Sequence, residues 1–299
     1  ADLRRAEDEA EAREFLQSLL EGAYIFLGVR DYVIPPAGAG PQEPEIVPGS
    51  GLGVLRDPNR RVLSRAAEPT ALTPGVRAAL NDPDPIIVAK SSERSRVHRN
   101  VYCDYVGVKR FDAAGEAVGE RRFLGLFTSE AYTSAADTLP LIRRKIARVK
   151  AVLARSSRFS MRQLDAVLKT FPRDELFQAG VEELARIARG VLNLQVRPRT
   201  RLFIRRDRFD RYVSALLYTP RDAYTSELRV RAHRTIAEAY GGRMSAYYPS
   251  FGEGPLARVH FIIGLDPHHP EPDEDELDLR IRRLFESWEA ALERIVQAR

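Results

Sequence analysis

Three helical patterns follow one another between residues 139 and 193, and strand-rich stretches lie on either side of them. Ile142, Ile146, Val149 and Leu153 recur at helical spacing, then Met161, Leu164, Leu168 and Phe171, then Phe177, Val181, Leu184, Ile187 and Val191. Pro140 stands at a first-turn position, Ser160 can cap the second pattern, and Pro172 ends it. A helical run between two strand-rich stretches is where a domain boundary belongs, and 299 residues suffice for two separate cores. The sequence therefore predicts an α+β chain. A first module spans 1–135, a helical connector 136–195 and a second module 196–299.

In the first module a helix over 3–21 ends near Gly22, and a strand over 24–34 stops at Pro35 and Pro36. A Gly- and Pro-rich loop follows to residue 53, with a second short strand over 53–56 and a short helix over 74–80. Residues 85–90 read as a buried strand. The polar stretch 91–100 reads as a loop leading into a hairpin with arms 101–111 and 118–128. The module is an antiparallel sheet with flanking helices.

The second module begins with a hairpin of arms 201–206 and 212–218, turning at 207–210. A helix over 222–240 ends at Gly241 and Gly242, and two further strands occupy 244–250 and 256–265. The closing helix over 273–297 carries Leu277, Ile281, Leu284, Phe285, Trp288, Leu292 and Ile295 on one face, with acids in its first turn where the helix dipole favours them. Four strands with two helices on one face make a ferredoxin-sized α+β unit.

Composition narrows the functions. The formal net charge of +5 is a mild excess over a long chain, and the bases are nearly all Arg, with Lys only at 90, 109, 145, 150 and 169. That skew lowers the weight of any one Arg cluster. The single Cys103 cannot form an internal disulfide and no apolar signal segment precedes the acidic start, so a cytoplasmic location without membrane attachment is expected. The chain starts with Ala, already inside a helical pattern, as a piece cut from something longer would.

Catalytic motifs are scarce. Gly49-Ser-Gly-Leu-Gly53 precedes a strand where a dinucleotide cradle would precede a helix. The five histidines show no helical i, i+4 ligand pair, and Cys103 alternates with Tyr102 and Asp104 as a packed strand residue would. No catalytic, cofactor-binding or metal residue is assigned. Ser91, Ser92, Arg94, Arg96, His98 and Arg99 crowd together with the composition of an anion site or an interdomain contact. Seven Arg decorate the 197–211 segment with Phe203, Phe209 and Tyr212 interleaved, as an RNA-stacking sheet requires, although the aromatic run of an RNA-recognition strand is missing. An RNA-binding protein is therefore the alternative function, with nucleic acid the less favoured partner, and an undetected enzyme is a third reading.

Beyond single motifs, the run from Ser91 to Asp112, Ser-Ser-Glu-Arg-Ser-Arg-Val-His-Arg-Asn-Val-Tyr-Cys-Asp-Tyr-Val-Gly-Val-Lys-Arg-Phe-Asp, resembles a hallmark segment of the large bacterial NAD-specific glutamate dehydrogenases. Gly-Glu-Arg-Arg-Phe-Leu-Gly-Leu-Phe-Thr-Ser at 119–129, Phe-Pro-Arg-Asp-Glu-Leu-Phe-Gln at 171–178, Leu-Phe-Ile-Arg-Arg-Asp-Arg-Phe at 202–209 and Pro-Leu-Ala-Arg-Val-His-Phe at 255–261 are similar to later segments there, in the same order. The resemblance implies a PAS-like module at 1–135 and an ACT-like module at 196–299 of an N-terminal regulatory region. It implies NAD as cofactor of the full-length parent and none in this segment. The expected partners are the rest of the polypeptide, other subunits of a homo-oligomer and a small-molecule effector. The family's catalytic lysine and nicotinamide motifs have no matching positions, so the segment alone is expected to be inactive. Arg221, Asp222 and Thr225 form the candidate effector loop. That loop, 218–224, lacks the Gly that ACT modules binding amino acids use there.

Overall fold

Alternating side chains build one antiparallel sheet from strands of the first half and another from strands of the last third. The computed structural model describes residues 2–36, 44–60, 62–65, 68, 69, 77, 80–154, 160–266, 268–286 and 296. Two compact units emerge, the first comprising residues 1–151 with 171–181 and the second 152–170 with 182–299. The helical stretch expected to join the modules is thus shared out between the two.

The first unit opens with helix α1 (Asp2–Ser18), which closes through a π-helical turn (Leu19–Ala23) where Gly22 has φ 111°. Strand β1 (Tyr24–Val33) follows, then the short β2 (Glu45–Ile46), β3 (Leu52–Gly53), β4 (Ser64–Arg65) and β5 (Glu68–Pro69). Three long strands, β6 (Ile86–Arg94), β7 (Tyr102–Phe111) and β8 (Ala117–Phe127), complete the sheet in the order β2-β1-β8-β7-β6, with β3 also pairing to β1. Helices α2 (Ser129–Thr133), most of α3 (Ile142–Ala154) and α5 (Arg173–Gln178) belong to this unit.

One face of this sheet is apolar. Phe15 and Leu19 of α1 meet Val88, Val106 and Phe127, and Phe177 of α5 stacks on Phe127 with ring centroids 5.0 Å apart. Such an aromatic pair contributes about 0.5–1.5 kcal/mol beyond its area burial. The acidic half of α1 is held by α3: Arg143 donates to Glu11 and Glu14, and Arg148 to Asp8.

The second unit contains α4 (Met161–Thr170), most of α6 (Val181–Val196), β9 (Arg201–Arg206), β10 (Tyr212–Pro220), α7 (Ser226–Ala239), β11 (Arg243–Phe251), β12 (Leu256–Gly264) and α8 (Glu274–Leu284). Its four strands run antiparallel in the order β11-β12-β10-β9. Ala232 and Ile236 of α7 and Leu277 and Ile281 of α8 pack on one face against Ile204, Ala215, Val259 and Phe261. The opposite face is buried too, because α6 approaches β9 closely enough that a Cβ on Gly190 would collide with the Phe203 ring. That second layer explains why β10 is buried at eight consecutive positions, which a half-solvated strand would not be.

Local chemistry sets the helix starts. Ser160 Oγ accepts from Gln163 N while Gln163 Oε1 accepts from Ser160 N, a reciprocal capping box. Thr225 Oγ1 caps α7 through Leu228 N, and Asp273 caps α8 through Asp275 N and Glu276 N.

Several expected elements differ. Residues 54–56 form a 3-10 turn instead of a strand, because Gly53 turns the chain at φ 60°. The buried strand expected to stop at Lys90 continues to Arg94, so Ser91, Ser92 and Arg94 are strand residues. Pro140 precedes its helix, which starts after Leu141 at φ 66°. The third helical pattern is two helices interrupted at Ala179 and Gly180, so Phe177 and Val181 lie on different helices. The closing helix is continuous only to Leu284; Trp288, Leu292 and Ile295 lie outside the described residues, as does most of the helix expected over 74–80.

The Gly190 contact carries a prediction whose sign runs against helix propensity. Alanine normally stabilises a helix relative to glycine by about 1 kcal/mol, but here its methyl must displace the buried Phe203 ring, and overpacking of this kind costs about 1–3 kcal/mol. Urea denaturation of Gly190→Ala should show a net loss of stability; a gain would mean that α6 does not press on β9.

Candidate functional site

Of the six residues expected to form an anion site or interdomain contact, Ser91 and Ser92 share one acceptor. Ser91 Oγ donates to the Val62 carbonyl at 2.7 Å and Ser92 N to the same oxygen at 3.1 Å. The Arg94 guanidinium lies 4.4 Å over the ring of Tyr102, its cross-strand partner. Arg96 and His98 are exposed, His98 at φ 60°, and Arg99 Nη2 donates to the Phe127 carbonyl at 2.6 Å. In the candidate effector loop, Arg221 Nη1 donates to the Gly252 carbonyl at 2.8 Å, Asp222 Oδ1 accepts from Ala223 N, and Thr225 is the α7 cap already described. These contacts tie the loop to the turn after β11 and to the start of α7.

The charged groups that do converge lie on the first sheet. On its apolar face, Lys90 Nζ donates to Asp104 Oδ1 at 2.6 Å and lies 3.0 Å from the Tyr132 hydroxyl and 3.2 Å from Asp174 Oδ1. Tyr132 in turn donates to Asp174, and Asp104 Oδ2 accepts from Phe127 N. One ammonium thus ties β6 and β7 to α2 and α5. Burial works against its charge, yet Asp174 and Asp104 outweigh it and hold the Lys90 pKa well above the usual lysine value. Burial also pushes the Asp104 carboxyl up, against the pull of Lys90.

The other face carries a row of polar side chains at alternate strand positions. Arg30 and Tyr32 of β1 lie opposite Arg122 and Glu120 of β8, which lie opposite Gly107 and Lys109 of β7. Arg30 donates to the carbonyls of Leu55, Asp57 and Arg60, binding the segment after β3 to the sheet. Glu120 is fully buried and accepts from Tyr105 OH and, at 2.8 Å, from Arg122 Nε. A Cβ at position 107 would meet Glu120 Oε1 and Tyr105 OH, so the row crosses β7 over a glycine and these side chains would have to shift for any larger residue. Burial raises the Glu120 pKa and Arg122 opposes the shift. Sequence reasoning missed this row. Its signal was present as Arg30-x-Tyr32, Tyr105-x-Gly-x-Lys109 and Glu120-x-Arg122, period-2 polar positions in otherwise apolar strands.

On the second sheet, the aromatics that an RNA surface would display are buried: Phe203, Phe209 and Tyr212 are at most 8% exposed. Arg211 pairs with Asp207 inside the 207–210 turn, and Arg201 pairs with Asp278, which also accepts from Leu202 N. Ser214 Oγ lies 2.8 Å from His260 Nε2, but both residues are sealed beneath the second helical layer and open to no substrate. Burial pushes the Cys103 thiol up to about 11, away from the thiolate a nucleophile needs. Among the described residues no group of His, Cys, Asp and Glu could hold a metal, and no helix is long and apolar enough to cross a membrane. The run 49–53 does not fit a dinucleotide: it enters a one-turn helix, and Gly51 and Gly53 press against the backbones of Leu55 and Leu27, leaving no cradle for a pyrophosphate.

Two family descriptions match the chain, "Glutamate dehydrogenase, helical motif 1" over residues 139–197 and "Glutamate dehydrogenase, ACT2 domain" over 201–289. A Halomonas elongata protein named NAD-specific glutamate dehydrogenase is 37% identical over 94% of this chain and 17% of its own length. A Pseudomonas aeruginosa protein of the same name is 32% identical over 95% of the chain and 17% of its length. The chain therefore spans about a sixth of these relatives. A blue-light activated histidine kinase of Erythrobacter litoralis aligns with 84% of the chain at 10% identity and a TM-score of 0.22, too low to carry an argument.

The Lys90 cluster predicts a pH-dependent defect. Lys90→Met leaves Asp104 buried without its cation, which should cost about 3–5 kcal/mol near neutral pH. The Asp104 pKa in the folded variant lies above its unfolded value, so the penalty is present above the folded pKa and fades as falling pH protonates the carboxyl. Denaturation of both proteins at several pH values should show the gap narrowing towards pH 4; a pH-independent gap would separate Asp104 from the loss.

Proposed function

The chain corresponds to one region of the NAD-specific glutamate dehydrogenase family, and on that premise we propose that it is a non-catalytic regulatory and assembly segment of such an enzyme. The observation that carries this reading is the ordered match of a helical motif and an ACT2 domain to residues 139–289. The full-length parent would convert glutamate, NAD and water to 2-oxoglutarate, ammonium and NADH. The cofactor site and chemistry would lie in the parts of the polypeptide beyond this segment.

In this reading the first unit is PAS-like. Its support is the strand order β2-β1-β8-β7-β6, in which the last strand of the sheet inserts beside the first and the middle strands occupy the far edge. The second unit is the ACT-like one, and its 218–225 loop serves assembly more than sensing, because Arg221 is already spent on the Gly252 carbonyl and Thr225 on the cap of α7. The partners are the remainder of the polypeptide and other copies of it in a cytoplasmic homo-oligomer.

Two measurements test the reading. The 299-residue chain mixed with glutamate and NAD should form no NADH by absorbance; glutamate-dependent turnover by this chain would overturn it. Deleting the segment from a longer polypeptide that carries it should alter subunit assembly in analytical ultracentrifugation or the response of turnover to small molecules. A deletion that leaves both untouched would remove the regulatory role.

A further inference from the structure

The cross-strand pair Arg30 and Arg122 places two guanidinium groups directly opposite each other on one face of the first sheet, with 1% and 6% exposure. Like charges in that position repel, and burial strengthens the repulsion. Lys109, on the same face opposite Glu120, adds a third buried cation and donates to the Asp82 carbonyl. Glu120 is the carboxylate of this row. Arg30 is satisfied by three carbonyls, but Arg122 is not: its Nε donates to Glu120, and among the described residues no acceptor takes the protons of Nη1 and Nη2. These two nitrogens are not sealed from solvent, so a ligand arriving from outside meets N–H donors that the fold has not used.

We propose that the outer edge of the Arg122 guanidinium binds the carboxylate of a small molecule on this face of the first unit. Shape and charge select that class. The Arg122 Cζ lies 4.0 Å from the centre of the Tyr32 ring and 5.9 Å from that of Tyr105, so the guanidinium stacks on Tyr32 with the second ring nearby. A planar carboxylate extends the guanidinium plane through two parallel hydrogen bonds and lies parallel to the Tyr32 ring, whereas a tetrahedral phosphate sends oxygens above and below that plane. The side chain keeps 7% of its surface open, and its Nη edge is the part that the fold leaves without an acceptor. The inference gives the regulatory reading a ligand class and rests on that reading for its purpose alone, since binding is measurable whatever the parent enzyme does.

The test is calorimetric titration of the whole 299-residue chain with succinate, and in a separate arm with inorganic phosphate. Succinate should bind saturably, phosphate more weakly, and Arg122→Gln should weaken succinate at least about tenfold. Arg122→Lys keeps the ion pair with Glu120 but lacks the fork, and it should also weaken binding, which keeps the test decisive if the Gln variant fails to fold. Absence of saturable succinate binding, phosphate binding as tight as succinate, or succinate affinity unchanged in the folded variants would overturn the proposal. None of these outcomes touches the NADH measurement that tests the regulatory reading.

Discussion

The ammonium of Lys90 is the point on which the first unit is organised. Removing it and two carboxylates from water costs several kcal/mol per ion, and the cost is offset only while Asp104, Asp174 and Tyr132 all surround it. Asp104 is held by its strand and by Phe127 N, so α2 and α5, which bring Tyr132 and Asp174, have one place to sit. The driving force comes from elsewhere, from Phe15, Phe127 and Phe177 leaving water beside the cluster. Apolar burial supplies the energy, and the ion cluster restricts the geometry in which that energy is gained.

The same sheet shows how a period of two gives one strand set two chemistries. Val106, Phe123 and Val88 turn to the helices, while Tyr105, Gly107, Arg122 and Arg30 turn to the segment following β3. A one-residue slip of β1 or β8 would put a guanidinium group on the side of the aromatic cluster. The bulge between Phe26 and Gly28 lets Tyr24 join the aromatic side while Arg30 faces the other.

The legible parts of the fold were those with local signals. Both hairpins follow from alternating arms around Asp- and Gly-containing turns, and α8 begins where Asp273 and its acidic followers place it. The ACT2 match agrees with the residues read as the second module. What was not legible depends on tertiary contact. The split of the third helical pattern at Ala179 and Gly180 leaves the apolar spacing nearly intact, so periodicity alone runs across it. The Lys90 cluster joins residues 90, 104, 132 and 174, which no sequence window contains. Of the run from Ser91 to Arg99, the strand takes residues up to Arg94 and the rest follow in the turn before β7, so the contacts of its side chains depend on Val62, Tyr102 and Phe127, far off in sequence or in another strand.

Arginine content was the most misleading feature, and it also sharpens the distinction that matters. A bias towards Arg scatters guanidinium groups over a surface, where each is solvated and carries little information. It does not account for burial, because a buried guanidinium must find acceptors for five N–H groups or destabilise the fold. Arg211 finds them in Asp207, Arg30 in the carbonyls of the 55–60 segment, and Arg201, partly exposed, in Asp278. Arg122 has one carboxylate oxygen at Nε and a tyrosine ring beneath it, which leaves its hydrogen-bonding edge open. What a guanidinium touches is a property of the folded chain that composition cannot report.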